Sequence, residues 1–154
     1  MCRINAFMWL VDNGLVDCAT IRFGYNSGWI SRDGVSDYFT DVVCSDGFDG
    51  CDLALLLAVS SSLSDVEFND IVAKLPGGDE FLVINRWRLG KLMELDLSGI
   101  TDDEKLCILQ DIYAEFDYPE DMAGCSIYSL TSEPPLDAMR RVISDLSVSV
   151  SVLG

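Results

Sequence analysis

The sequence predicts a mainly α-helical fold, a single compact domain of about six packed helices spanning residues 1–154. Three observations carry that expectation. Apolar residues recur at spacings of three, four and seven in segment after segment, the period of helices buried along one face. Capping residues stand just ahead of those segments, twice as Ser/Thr-x-x-Glu. And a chain of 154 residues, 49% of them apolar, suits one sizeable core.

Residues 4–11 are apolar enough for a short buried helix carrying Trp9, and Asn13-Gly14 then turns the chain. Residues 17–30, rich in Gly, Asn, aromatic and β-branched types, are compatible with a loop holding a minor strand near Ile21–Phe23. Ser31 reads as the cap of a helix that turns Val35, Tyr38, Phe39, Val42 and Val43 to one side. The Ser45-Asp46-Gly47 and Asp49-Gly50 clusters end it. Asp52 caps a strongly apolar helix reaching Val59. Ser64-x-x-Glu67 opens a helix with Phe68, Ile71, Val72 and Leu75 inward, stopped by Pro76-Gly77-Gly78. Asp79 caps residues 80–95, where Phe81, Ile84, Trp87 and Leu92 are apolar and Arg86, Arg88 and Lys91 are basic. Thr101-x-x-Glu104 opens a helix with the ridge Leu106, Leu109, Ile112, Tyr113 and Phe116, and Pro119 marks its end. Pro134-Pro135 precede a last helix through Leu136, Met139, Val142, Ile143 and Leu146. The Ser-Val tail, residues 147–153, has the period of a strand and also reads as a frayed extension of that helix.

Charge narrows function. Ten basic and 26 acidic side chains leave a net charge of -16, and histidine is absent. Nucleic-acid binding needs a basic footprint, which this chain lacks. Ser-His or Cys-His catalysis and imidazole-bound zinc are excluded within the chain. Aromatic residues at 10% and a mean hydropathy of +0.25 argue against disorder. Residues 1–5 carry no secretory h-region, and the longest apolar run, residues 53–59, falls short of the roughly 20 residues that span a bilayer. A cytoplasmic location away from membranes is therefore expected. Cys2, Cys18, Cys44, Cys51, Cys107 and Cys125 form no CxxC pair and read as reduced structural thiols, Cys107 as a small buried hydrophobe.

The acids are concentrated. Residues 31–70 hold nine acids against Arg32, a local charge of -8, and residues 101–121 hold eight against Lys105, or -7. Asp33, Asp37 and Asp41 recur every four residues opposite an apolar face, a spacing that costs a helix roughly 0.2–0.5 kcal/mol per like-charged pair. Asp46 and Asp49 extend that patch, while Asp111, Glu115, Asp117, Glu120 and Asp121 form a second one. Such stripes suit a landing surface for a basic partner, or a face kept acidic for solubility. Tyr25 and Tyr118 lie beside the two acidic segments as candidate anchors. The run Asp46-Gly-Phe-Asp49-Gly-Cys-Asp52 has the wrong spacing for an EF-hand, and Pro76-Gly77-Gly78 lacks the Lys-Ser/Thr of a phosphate loop. No metal, cofactor or catalytic residue is indicated.

Two stretches carry a resemblance. Asn13-Gly-Leu-Val-Asp-Cys-Ala-Thr-Ile-Arg-Phe-Gly24, continuing through Gly28-Trp-Ile-Ser31 to Asp37-Tyr38, resembles the opening of a family of small acidic bacterial proteins of unknown function. Ile112-Tyr-Ala-Glu-Phe-Asp-Tyr-Pro-Glu-Asp-Met122, with Ile127-Tyr128, resembles that family's second signature. Members of this kind occur among immunity proteins encoded beside toxins of contact-dependent growth inhibition and related polymorphic systems. The resemblance implies an immunity protein and brings no catalytic residue with it; the acidic surface suits a cognate basic toxin, a nuclease domain such as a tRNase being the best fit. A second reading is an acidic cytosolic secretion chaperone binding a partner's extended segment. A third, an enzyme using carboxylates alone, needs a desolvated acid pair that polar faces and turns do not offer.

Overall fold

The computed structural model describes residues 5–44, 56–75, 77–129 and 132–152. Among these, every regular element is helical and none is a strand. The α-helices are α1 (Ala6–Asp12), α2 (Cys18–Asn26), α3 (Arg32–Cys44), α4 (Asp65–Ala73), α5 (Glu80–Asp96), α6 (Asp102–Glu115) and α7 (Pro135–Val152). Short 3-10 helices cover Ser60–Ser62 and Glu120–Cys125. The expected apolar helix from Asp52 falls largely outside the described residues, which show its last turn at 56–58.

Local chemistry accounts for the boundaries. The hydroxyls of Ser31, Ser64 and Thr101 accept from the backbone N–H groups of Gly34, Glu67 and Glu104, at 3.0, 3.2 and 3.3 Å. Asp79 Oδ1 accepts from Phe81 and Leu82, at 3.0 and 3.3 Å. Two further caps had no apolar ridge to announce them. Asn5 Oδ1 accepts from Met8 N, and Asp17 Oδ1 from both the N–H and the hydroxyl of Thr20.

The expected strand at Ile21–Phe23 is therefore corrected: those residues are the middle of α2. Asp17 starts the helix, and Gly28, at a φ of +79°, ends it in a Schellman motif. There Trp29 N–H reaches back to the Gly24 carbonyl at 2.8 Å, and its ring packs 5.6 Å from Phe23. Gly14 ends α1 in the same way, with Leu15 N–H bonded to the Leu10 carbonyl.

The tail is likewise helical, through Val152. Val142, Leu146 and Val150 continue one buried face at four-residue steps, and the Ser147 hydroxyl donates to the Ile143 carbonyl at 2.8 Å instead of seeking a sheet.

The chain groups into two compact units, one built from α1 and everything from Ile84 onward, the other from Val16 to Val83. In the second, Ile21, Val35, Phe39, Leu57, Phe68 and Val72 are buried. In the first, Leu10, Trp87, Leu92, Leu109, Met122, Met139 and Val142 are buried, and Phe7 stacks on Trp87 at 6.2 Å. Residues 85–90 of α5 are buried without a break. Gly90 permits the close crossing with α1: a Cβ there would lie 3.0 Å from Leu10 Cγ and 3.1 Å from the Ala6 carbonyl oxygen.

Phe81 is 70% exposed, because it stands in the first turn of α5 ahead of the buried stretch. Two expectations about individual side chains change. Trp9 is half-buried. Cys107 is exposed, since the buried face of α6 runs through Lys105, Leu109 and Ile112. The buried thiol belongs to Cys125, which packs from the 3-10 segment.

Candidate functional site

Among the described residues, the basic side chains other than Lys74 are buried or engaged. Arg86, Arg88 and Lys105 are buried. Arg88 pairs with Asp121 and donates to Asn85 Oδ1 at 3.0 Å, while Lys91 pairs with Glu115 at 2.7 Å. Lys105 Nζ donates to the Asp96 carbonyl at 3.1 Å. Arg140 bridges Asp96 and Asp137, and Arg141 holds Glu133 at 3.0 Å. Arg22 donates to the Leu75 carbonyl at 3.2 Å. Among the described residues, Lys74 is the only cation that is neither buried nor engaged. Lys74, Arg140 and Arg141 are the exposed cations among the described residues, and the last two are paired with carboxylates.

The first acidic face is α3. Its Val35 and Phe39 are buried, so the helical period turns Asp33, Asp37 and Asp41 to solvent, where all three are exposed. At 1.5 Å per residue the three carboxylates stand about 6 Å apart along the axis. The one nearby cation is withdrawn from them. Arg32 pairs with Asp65 at 2.7 Å, donates to the Leu63 carbonyl at 2.6 Å and lies 4.7 Å over the Phe68 ring. Among the described residues, none of the three aspartates forms an ion pair. Asp46 and Asp49, expected to extend the row, lie outside the described residues. Tyr25 is a strut within its unit: its hydroxyl donates to Asn69 Oδ1 and its ring meets Phe68 edge-on at 5.3 Å.

The second acidic group divides. Glu115 and Asp121 are spent on Lys91 and Arg88. Asp111, Asp117 and Glu120 remain exposed, and among the described residues they form no ion pair. Asp117 and Tyr118 both have positive φ, +61° and +54°. They close α6 in a Schellman motif, Tyr118 N–H to the Tyr113 carbonyl at 2.9 Å and Asp117 N–H to that of Ala114 at 3.0 Å. Tyr118 stays 61% exposed, its ring edge-on to Tyr113 at 5.1 Å. Ile127 and Tyr128, quoted in the second signature but not among the candidate contact residues, are 52% and 85% exposed. As an Ile-Tyr pair between helices they have no periodic partner to mark them as core or surface.

Among the described residues no carboxylate is buried, and no group of three or more Cys, Asp or Glu is arranged to hold a metal. A depression of about 360 Å³ lies between α2 and the residues leading into α5, with Arg22, Asn26, Ser27 and Glu80 in its wall. Arg22 is held there by the Leu75 carbonyl and faces no buried nucleophile or acid. Cys125 sits near Arg88, Arg141, Asp121 and Glu133, yet burial dominates and pushes its thiol up to about 11. A thiol so protonated is a poor nucleophile.

Fold and surface thus define a mainly helical, strongly acidic protein. The chain belongs to the family described as "Uncharacterized protein conserved in bacteria (DUF2247)", whose match spans residues 8–147. Comparison with curated proteins and with solved structures found no match. Among the described residues, no helix is long and apolar enough to cross a membrane.

Proposed function

We propose that this protein is an immunity protein: in the cytoplasm it binds a cognate basic toxin domain, of which a nuclease such as a tRNase is the best fit, and neutralises it by occlusion without turnover. The observation that carries the reading is the exposed Asp33-Asp37-Asp41 row, whose neighbouring cation is committed to Asp65 and Leu63. A nuclease cleft is positive because its substrate is a polyanion. Carboxylates about 6 Å apart on a rigid helix can stand where phosphates would lie. Long-range attraction between such surfaces raises association rates toward 10⁸–10⁹ M⁻¹s⁻¹ at low salt. The resemblance of residues 13–38 and 112–128 to small acidic proteins found among immunity proteins supports the same reading.

Co-expression with the coding region immediately upstream tests it. Rescue of growth from a lethal neighbour, together with a one-to-one complex on co-purification, is the expected result. A harmless neighbour that forms no complex would remove the reading.

A further inference from the structure

Among the described residues Asp111, Asp117 and Glu120 form no ion pair, and the same stretch of chain leaves apolar surface exposed. Tyr118, Ile127 and Tyr128 are 61%, 52% and 85% exposed. Tyr118 and the backbone at Ile127 are both tied back to α6. Gln110 and Tyr113 lie one turn apart on one face of that helix. Tyr118 packs edge-on to Tyr113 at 5.1 Å. The Gln110 side chain accepts from Ile127 N at 3.2 Å and donates to the Cys125 carbonyl at 2.9 Å. Ser126 Oγ accepts from Tyr128 N at 3.1 Å, so that turn is closed as well.

Ordering a loose loop costs a binder affinity, and here the order is already present in the unbound chain. Tyrosine offers a large amphipathic contact on only two side-chain torsions. An apolar centre with a charged rim is the anatomy of a protein interface. The charge selects the occupant. A second copy of this chain would bring three more carboxylates against the same three, whereas a basic surface complements them.

We infer that the exposed Tyr118, Ile127 and Tyr128, with the exposed carboxylates Asp111, Asp117 and Glu120 of the same stretch of chain, are the docking surface for a basic protein patch with an apolar centre. This inference rests on the reading of the protein as an inhibitor of a basic partner. It divides the work: the α3 row and the carboxylates Asp111, Asp117 and Glu120 steer approach, and Tyr118, Ile127 and Tyr128 govern how long the complex lasts.

The test measures association and dissociation rates of the full chain against the immobilised product of the upstream coding region, at two salt concentrations. Tyr118→Ser with Tyr128→Ser is expected to speed dissociation about tenfold or more with little change in association. Tyr118→Phe with Tyr128→Phe, which keeps the rings, retains most of the lifetime. Asp111→Asn, Asp117→Asn and Glu120→Gln together slow association and flatten its salt dependence. Should loss of the Tyr113 contact unfold the first variant, Ile127→Ser with Tyr128→Ser carries the same test, because both side chains point largely into solvent. Unchanged dissociation in a folded serine variant overturns this docking surface and leaves the inhibitor reading intact. Failure of the unaltered chain to bind overturns both.

Discussion

Asp117 occupies a backbone position that favours glycine. With a φ of +61° at the residue after the α6 cap, it does what Gly14 and Gly28 do at the ends of α1 and α2, but with a Cβ in the way. Asp117→Gly is therefore expected to stabilise the protein by about 0.5–1 kcal/mol in chemical denaturation, less what glycine adds to the freedom of the unfolded chain. The same change removes a carboxylate from the docking surface, so it should weaken partner binding while it stabilises the fold. Cys125 gives a second prediction at this scale. Burial first, then Asp121 and Glu133, raise its thiol from 9.0 to about 11, against the opposing pull of Arg141 and Arg88. Below the unfolded value both states are protonated and its contribution is fully present. Between about 9 and 11 the unfolded chain loses the proton first, so stability falls as pH rises. Tyr38, also raised chiefly by burial, adds to the loss in the same direction. Cys125→Ala should flatten the fall in unfolding free energy across that window, and an equally steep profile would place its cause elsewhere.

At the scale of elements, the crossing of α1 and α5 depends on one missing side chain. Alanine at position 90 would gain about 1 kcal/mol of helix propensity, yet its Cβ would meet a backbone oxygen at 3.1 Å that cannot rotate away. Overpacking of this kind typically costs 1–3 kcal/mol, so Gly90→Ala is expected to lower stability by up to about 2 kcal/mol net. Equal or greater stability in denaturant would mean that α1 yields freely. The α3 row presents the opposite case, an element that keeps a local penalty. Replacing Asp37 and Asp41 by Asn, which keeps Asp33 in the favourable first turn, should raise stability by about 0.2–0.5 kcal/mol for each of the two relieved pairs. It should also slow association with a basic partner and reduce its salt dependence. A variant that is more stable yet associates at the original rate would show the row to be a solvated face only.

For the whole molecule, the arrangement of cations matters more than their number. Arg86, Arg88 and Lys105 are buried, and Lys91, Arg140 and Arg141 are tied to carboxylates. What solvent meets is accordingly dominated by carboxylates, with Lys74, Arg140 and Arg141 the exposed cations among the described residues. Self-repulsion on this scale keeps copies apart and strains the compact state, and salt relieves both. Raising salt from low to physiological concentration should increase the melting temperature of the unbound chain while lowering its affinity for a basic partner. A melting temperature indifferent to salt would mean that the excess charge is neutralised in ways the ion pairs described here do not include.

Much of this was legible in the residues. Helical periodicity and the caps Ser31, Ser64, Asp79 and Thr101 determined the class of fold and most element starts, because capping and amphipathicity act within a turn or two of the chain. The excess of acid and the absence of histidine determined what chemistry the protein leaves aside. The segment around Ile21–Phe23 misled because its helix begins at an aspartate with no ridge behind it and owes its length to Gly28, a signal in the C-terminal cap rather than in the period. Tertiary structure alone decided which acids are available. Lys91 and Arg88, far from residues 101–121 in sequence, consume Glu115 and Asp121, and Arg32, adjacent in sequence to Asp33, turns away to Asp65. Composition counts charges wherever they lie, but a carboxylate is neutralised only by the cation that the fold brings within a few ångströms of it.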